Sequence, residues 1–116
     1  MTRKEKGNKL EEWVAYKLRM AGYNNVRPTR GSGNKTEIGD IYCLRFFVEC
    51  KSKDKKNIVL GMNVIEHLLN QIPINSDRTP FWVYENKNGK KYVITIADDF
   101  FRLLKKVQNY EEKNND

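Results

Sequence analysis

One histidine and two cysteines are all that the chain holds of the softer metal ligands. His67, Cys43 and Cys50 are scattered, whereas a structural zinc site needs four such donors. The same scarcity argues against a secreted disulfide framework. Any catalytic metal is therefore expected to be a hard cation on carboxylate oxygens, Mg²⁺ or Mn²⁺. Long apolar runs are missing as well. None approaches the roughly 20 residues that cross a bilayer, and Met1-Thr2-Arg3-Lys4-Glu5-Lys6 leads into no apolar segment of a targeting peptide. The expectation is a soluble, cytoplasmic protein without membrane association. Acidic residues are in deficit: 15 Asp and Glu stand against 22 Lys and Arg, a formal net charge of +7. That surplus on 116 residues suggests a polyanionic partner, although a basic surface kept only for solubility has the same arithmetic.

What is present reads as one domain, long enough to bury a core without disulfides or a structural metal. Residues 1–108 are assigned to that domain and 109–116 to a polar, disordered tail. Leu10, Val14, Leu18 and Ala21 recur at helical spacing, with Trp13 widening the apolar side and Gly22 placed to cap the end. Val26-Arg27 opens a short edge strand that Pro28 limits. The glycine-rich stretch from Arg30 to Glu37 is a loop. Asp40 to Cys43 and Phe46 to Ser52 read as strands joined by a tight reversal at Leu44-Arg45. A basic loop, Lys53-Asp54-Lys55-Lys56-Asn57, precedes a second helix over Gly61 to Gln71 that Pro73 terminates. Pro80 to Tyr84 and Tyr92 to Ile96 form a hairpin about Asn88-Gly89. Asp98 or Asp99 caps a last helix ending at Val107. The order αβββαββα predicts an α/β domain with a mixed central β-sheet flanked by helices.

The chemistry concentrates in Phe46-Phe47-Val48-Glu49-Cys50-Lys51. Side chains alternate faces along a strand, so Phe46, Val48 and Cys50 supply core while Glu49 and Lys51 share the other side. If the two strands pair as a hairpin, Asp40 comes close to Glu49 across the ladder. Two neighbouring carboxylates repel unless a proton or a cation lies between them, and a divalent cation satisfies that arrangement. Lys51 then stands where it can orient water or offset charge on a phosphate. The plain alternative is a solvent-facing Glu–Lys pair on a strand. Helical geometry adds Glu11, which borders the face of Val14, Ala15 and Leu18. Arg27, Arg30, Lys53, Lys55 and Lys56 are expected phosphate contacts. Smaller expectations attach to Gln71, Glu37 and His67, for which an exposed or solvated position is the simpler reading.

Gly39-Asp40 followed by Glu49-Cys50-Lys51 resembles the signature of the PD-(D/E)xK nucleases, with Gly39 where a proline often stands. Upstream, Lys6-Gly7 with Glu11 four residues after the glycine resembles the opening of archaeal-type Holliday-junction resolvases. So do Val26-Arg27 and the Gly31-Ser32 loop. The match runs from Lys6 to Lys51. It implies a restriction-endonuclease-like fold, with Asp40 and Glu49 as metal ligands, Lys51 as the catalytic lysine and Glu11 as a further acid of the site. It also implies Ser32 near the scissile phosphate, Arg27 on a phosphate, branched DNA as substrate and a homodimer. The loop from Arg30 to Gly39 is longer than in the resolvases, which leaves room for a different DNA substrate. The leading expectation is a metal-dependent endonuclease that hydrolyses phosphodiester bonds, first of all at Holliday junctions. The alternatives are another small restriction or repair nuclease and a non-catalytic nucleic-acid-binding module. A dimer interface is expected on Ile65, Leu68 and Leu69 of the second helix and on Phe81 and Trp82 of the hairpin.

Overall fold

A computed structural model describes residues 1–30 and 37–114. The expectation for Ser32 lies outside the described residues. Helix α1 spans Arg3–Met20 and so begins well before the first apolar position. The Thr2 hydroxyl starts it by accepting from the Glu5 N–H at 3.1 Å, a cap that needs no apolar face. Leu10, Val14 and Ala15 are buried beneath the helix, each of the larger two contributing about 1.5–3 kcal/mol by leaving water. Trp13 departs from expectation. It lies at the surface with the ammonium groups of Lys17 and Lys91 at 5.5 and 4.9 Å from its ring.

Five strands form one sheet in chain order: β1 (Arg27–Pro28), β2 (Ile41–Tyr42), β3 (Phe46–Ser52), β4 (Thr79–Glu85) and β5 (Lys91–Thr95). β1, β2 and β3 are mutually antiparallel, β4 runs parallel to β3, and β5 returns antiparallel to β4. A parallel step requires a crossover, and α2 (Met62–Leu69) lies within it. Pro28 is accommodated because β1 is an edge. The β4–β5 turn closes on Asn86, whose side-chain oxygen accepts from the N–H groups of Asn88 and Lys90.

β3 sits between two cores. Phe46 and Val48 pack with Leu10, Val14 and Ala15 of α1, while Phe47 packs with Leu68 of α2 and Trp82 of β4. Alternation therefore turns Glu49 and Lys51 to the α2 side. Leu68 and Trp82 are fully buried, which corrects their assignment to a dimer interface: α2 packs on the second face of the sheet, and its apolar side is used in doing so. Ile65 also packs against this core, and only Leu69 of that helix patch is exposed.

Helix α3 spans Ala97–Asn114. Asp98 and Asp99 lie in its first turn rather than at the cap, where acids favour the helix dipole, and Asp99 pairs with Arg102 at 2.9 Å. No glycine or proline follows Val107, so the helix runs on to Asn114 instead of ending at Val107 as its apolar pattern suggests. Gln108 donates to Glu112 at 3.1 Å along this last stretch.

Gly39 is the tightest point of the fold. Its φ is +82°, and an added Cβ would stand 2.6 Å from the Val48 carbonyl oxygen. Proline, fixed near φ −65°, is excluded by the same geometry. Replacing Gly39 by alanine is expected to cost about 1–3 kcal/mol. Gly7, inside α1 with nothing within 4 Å of an added Cβ, should gain about 0.5–1 kcal/mol from the same change. Urea unfolding of the two variants measures both, and effects of the same sign would contradict this account.

Candidate active site

The site is assembled by the β2–β3 hairpin. The Asp40 N–H donates to the Val48 carbonyl at 2.7 Å, and one Asp40 carboxylate oxygen accepts from the Cys50 N–H at 2.8 Å. On the other side the Thr29 N–H donates to the Asp40 carbonyl at 2.9 Å, and the Thr29 hydroxyl donates to Gly39. Asp40 is thus held from β1 and β3 at once. With Ile41 opposite Val48, Asp40 falls beside Glu49, and its negative charge acts on the Glu49 carboxyl. Trp82 lies next to Glu49 in the parallel register. Its buried indole N–H has no hydrogen-bond partner among the described residues, so the strand beside Glu49 offers burial without solvation.

The electrostatics follow from that placement. Burial, then the charge of Asp40, pushes the Glu49 carboxyl up from 4.5 to about 7, against the opposing pull of Lys51. Glu11 adds a weaker push from α1. The Glu11 carboxyl is itself raised, first by burial, and Arg30 opposes the rise. Arg30 bridges Glu11 at 2.7 Å and Glu12 at 2.6 Å. Burial and the nearby Asp40 carboxylate push the Cys50 thiol far up, which leaves it protonated and inert as a nucleophile.

Asp40, Glu49, Lys51 and Glu11 therefore share one neighbourhood, and Arg30 reaches it through Glu11. Arg27 is engaged elsewhere, 4.4 Å over the Tyr42 ring and 3.8 Å from Glu37. Lys53 and Lys55 line a groove beyond the end of β3, and Lys56 is exposed after them. Gln71, just past the end of α2, donates to the His67 carbonyl at 2.9 Å and stays exposed, as does His67. Glu37 is not the solvated acid of the simpler reading: its side chain is 12% exposed, and among the described residues one buried oxygen has no partner. Sequence reasoning missed Trp82 as a neighbour of Glu49, because nothing local to either strand announces a parallel register.

Among the described residues, no three of the His, Cys, Asp and Glu side chains form a group that could hold a metal ion. Two carboxylates do come together. That set suits a Mg²⁺-like ion, which binds through one or two carboxylates and keeps water or substrate oxygens for the rest. The crowded negative charge that lifts Glu49 is the charge such an ion relieves. The residues present fit a hard divalent cation.

A mixed five-stranded sheet covered by helices, with these acids on adjacent strands, belongs to the restriction-endonuclease-like class of α/β folds. The profile of the family described as "Phage putative PDDEXK endonuclease" matches residues 2–115, and the chain belongs to that family. Membership marks it as a nuclease of the PD-(D/E)xK superfamily, with DNA as its class of substrate and a divalent metal as the class of cofactor such nucleases generally use. No curated protein and no solved structure matches the chain.

Between pH 4.5 and about 7 the folded chain holds a proton on Glu49 that the unfolded chain has released. Stability is therefore expected to fall as pH rises through that window. Thermal unfolding in EDTA across the window should show this decline. Glu49→Gln should flatten it, and an unchanged slope in that variant would contradict the assignment.

Proposed function

We propose that the chain is a divalent-metal-dependent endonuclease that hydrolyses DNA phosphodiester bonds through Asp40, Glu49 and Lys51. The observation that carries this reading is the desolvated pairing of the Asp40 and Glu49 carboxyl groups, with Lys51 two residues further along the same face of β3. Asp40 and Glu49 hold the cation, Mg²⁺ or Mn²⁺. When bound, it supplies Lewis acidity at a phosphoryl oxygen and lowers the pKa of water. Lys51 places an ammonium group where negative charge grows on the scissile phosphate. Glu11 adds a carboxylate at the margin, held by Arg30, and an arriving phosphate offers that guanidinium a second partner. A binding-only module is disfavoured, because clustered acids facing DNA repel it.

The finer reading is a structure-specific enzyme that resolves Holliday junctions, hence a role in DNA recombination or repair. It is supported by the Lys6-Gly7 and Glu11 resemblance, with Glu11 close enough for its charge to act on Glu49. Opposed cuts at a junction need two sites, and one such domain carries one, so this reading calls for a symmetric homodimer. Helix α3 offers the surface: none of its residues is buried, and Phe100, Phe101, Leu104 and Val107 are exposed. The alternative is a restriction or repair nuclease that cuts linear duplex.

Asp40→Asn, Glu49→Gln and Lys51→Ala are each expected to lower cleavage by about 10²–10³-fold or more, with the fold kept. The assay offers a four-way junction beside linear duplex and single strands, in Mg²⁺ or EDTA. Wild-type rates in the Asp40 or Glu49 variant would sink the assignment, and cutting of linear duplex alone would sink the junction reading. Leu104→Asp should shift sedimentation from dimer to monomer and abolish paired cuts. A wild-type monomer that still resolves junctions would refute the dimer.

A further inference from the structure

Beyond Lys51, β3 runs into a groove of about 630 Å³ whose lining includes Arg3, Lys6, Ser52, Lys53, Lys55 and Tyr84. The first turns of α1 form one wall, and the basic loop after β3 forms the other. That loop is fixed from behind. The Lys53 N–H donates to the Glu85 carbonyl at 3.0 Å, the Lys87 N–H to the Lys55 carbonyl at 3.1 Å, and the Asn86 side-chain amide to the Lys56 carbonyl at 3.2 Å. Three anchors on the β4–β5 hairpin thus hold the backbone that presents these lysines. Arg3, Lys6, Lys53 and Lys55 place four cations around the groove. The acid among its lining residues, Asp54, is paired with Lys6 across 48 residues of sequence. The groove begins where β3 ends: Ser52, among its lining residues, directly follows Lys51 in the chain.

We infer that this groove seats the sugar–phosphate backbone of the substrate strand on one side of the cleaved bond. Arg3, Lys6, Lys53 and Lys55 are its phosphate contacts, and Asp54 holds Lys6 until a phosphate displaces it. The inference rests on the nuclease reading and adds to it a direction, from the acid pair past Lys51 to the start of α1. The groove lies open, with its cations spread along it from α1 to the loop. That arrangement matches successive phosphates of a strand better than one small anion, which calls for convergent, enclosing donors.

Anisotropy of a short labelled duplex in EDTA tests this on the full chain without cleavage. The paired change Arg3→Gln and Lys6→Gln should weaken binding and flatten the slope of log K against log salt by about 0.9 for each lost contact. The conservative pair Arg3→Lys and Lys6→Arg should restore both. Asp54→Asn frees Lys6 and should tighten binding several-fold at low salt, an effect that a merely structural Lys6–Asp54 pair would not produce. Wild-type affinity and slope in the glutamine pair, or no tightening in Asp54→Asn, would overturn the groove. The nuclease reading fails separately: binding that follows these dependences, with no strand cut in Mg²⁺ or Mn²⁺, would refute hydrolysis and leave the groove standing. Unchanged binding in the variants with normal cutting by the wild type would do the reverse.

Discussion

Two hydrogen bonds from Asp40 to β3 hold the site together. Its N–H, on the Val48 carbonyl, sets the register of the hairpin. Its carboxylate, on the Cys50 N–H, commits one oxygen and fixes the group beside Glu49. A slip of one residue would turn Phe47, Glu49 and Lys51 toward the α1 core and take Phe46 and Val48 out of it. The far end of the hairpin is locked as well. The Arg78 guanidinium donates to the carbonyls of Cys43 and Phe46 and stacks 3.8 Å over the Phe47 ring. The Thr79 N–H, on the Arg45 carbonyl at 3.1 Å, ties β4 to the same turn. The acids are therefore placed by backbone geometry rather than by their own attraction, which is unfavourable.

That imposed repulsion is the local cost of the site, and the rest of the molecule carries the opposite sign. A +7 chain concentrates anionic charge where Asp40, Glu49 and Glu11 meet. Long-range attraction then draws a polyanion to the surface, while the short-range field of the acid pair favours a small cation. Arg30 stands at the boundary between the two, bonded to Glu11 and Glu12. Local rules of stability are broken at the acid pair and obeyed around it, the pattern expected where a fold gives up stability for chemistry.

Much of this was legible because it is local. The period-2 pattern of Phe46 to Lys51 puts Glu49 and Lys51 on the face opposite Phe46 and Val48, and the Leu44-Arg45 reversal brings Asp40 to Glu49, while the burial of Phe47 on the acid face comes from the second core. The start of α1 was not legible, since its first turns are polar and rest on a single Thr2 cap. Ile65, Leu68 and Trp82 read as surplus apolar surface because a sequence does not say which face of the sheet a short helix will pack on. Gly39 was read as a substitute for proline, yet its positive φ makes proline impossible there. Trp82 beside Glu49, and Lys6 on Asp54, arise from contacts between distant segments. No pattern within either segment encodes them.

The two tryptophans occupy opposite environments. Trp82 is sealed in the core beside Glu49. Trp13 lies in contact with solvent under the Lys17 and Lys91 ammonium groups, in a shallow depression that also takes in Lys6 and Lys9. Indole emission shifts to the red as its surroundings become more polar, and it is sensitive to nearby charge. The chain thus carries two intrinsic fluorophores of different colour. The blue component follows the integrity of the sheet, and the red one follows whatever draws the lysines away from the indole on α1.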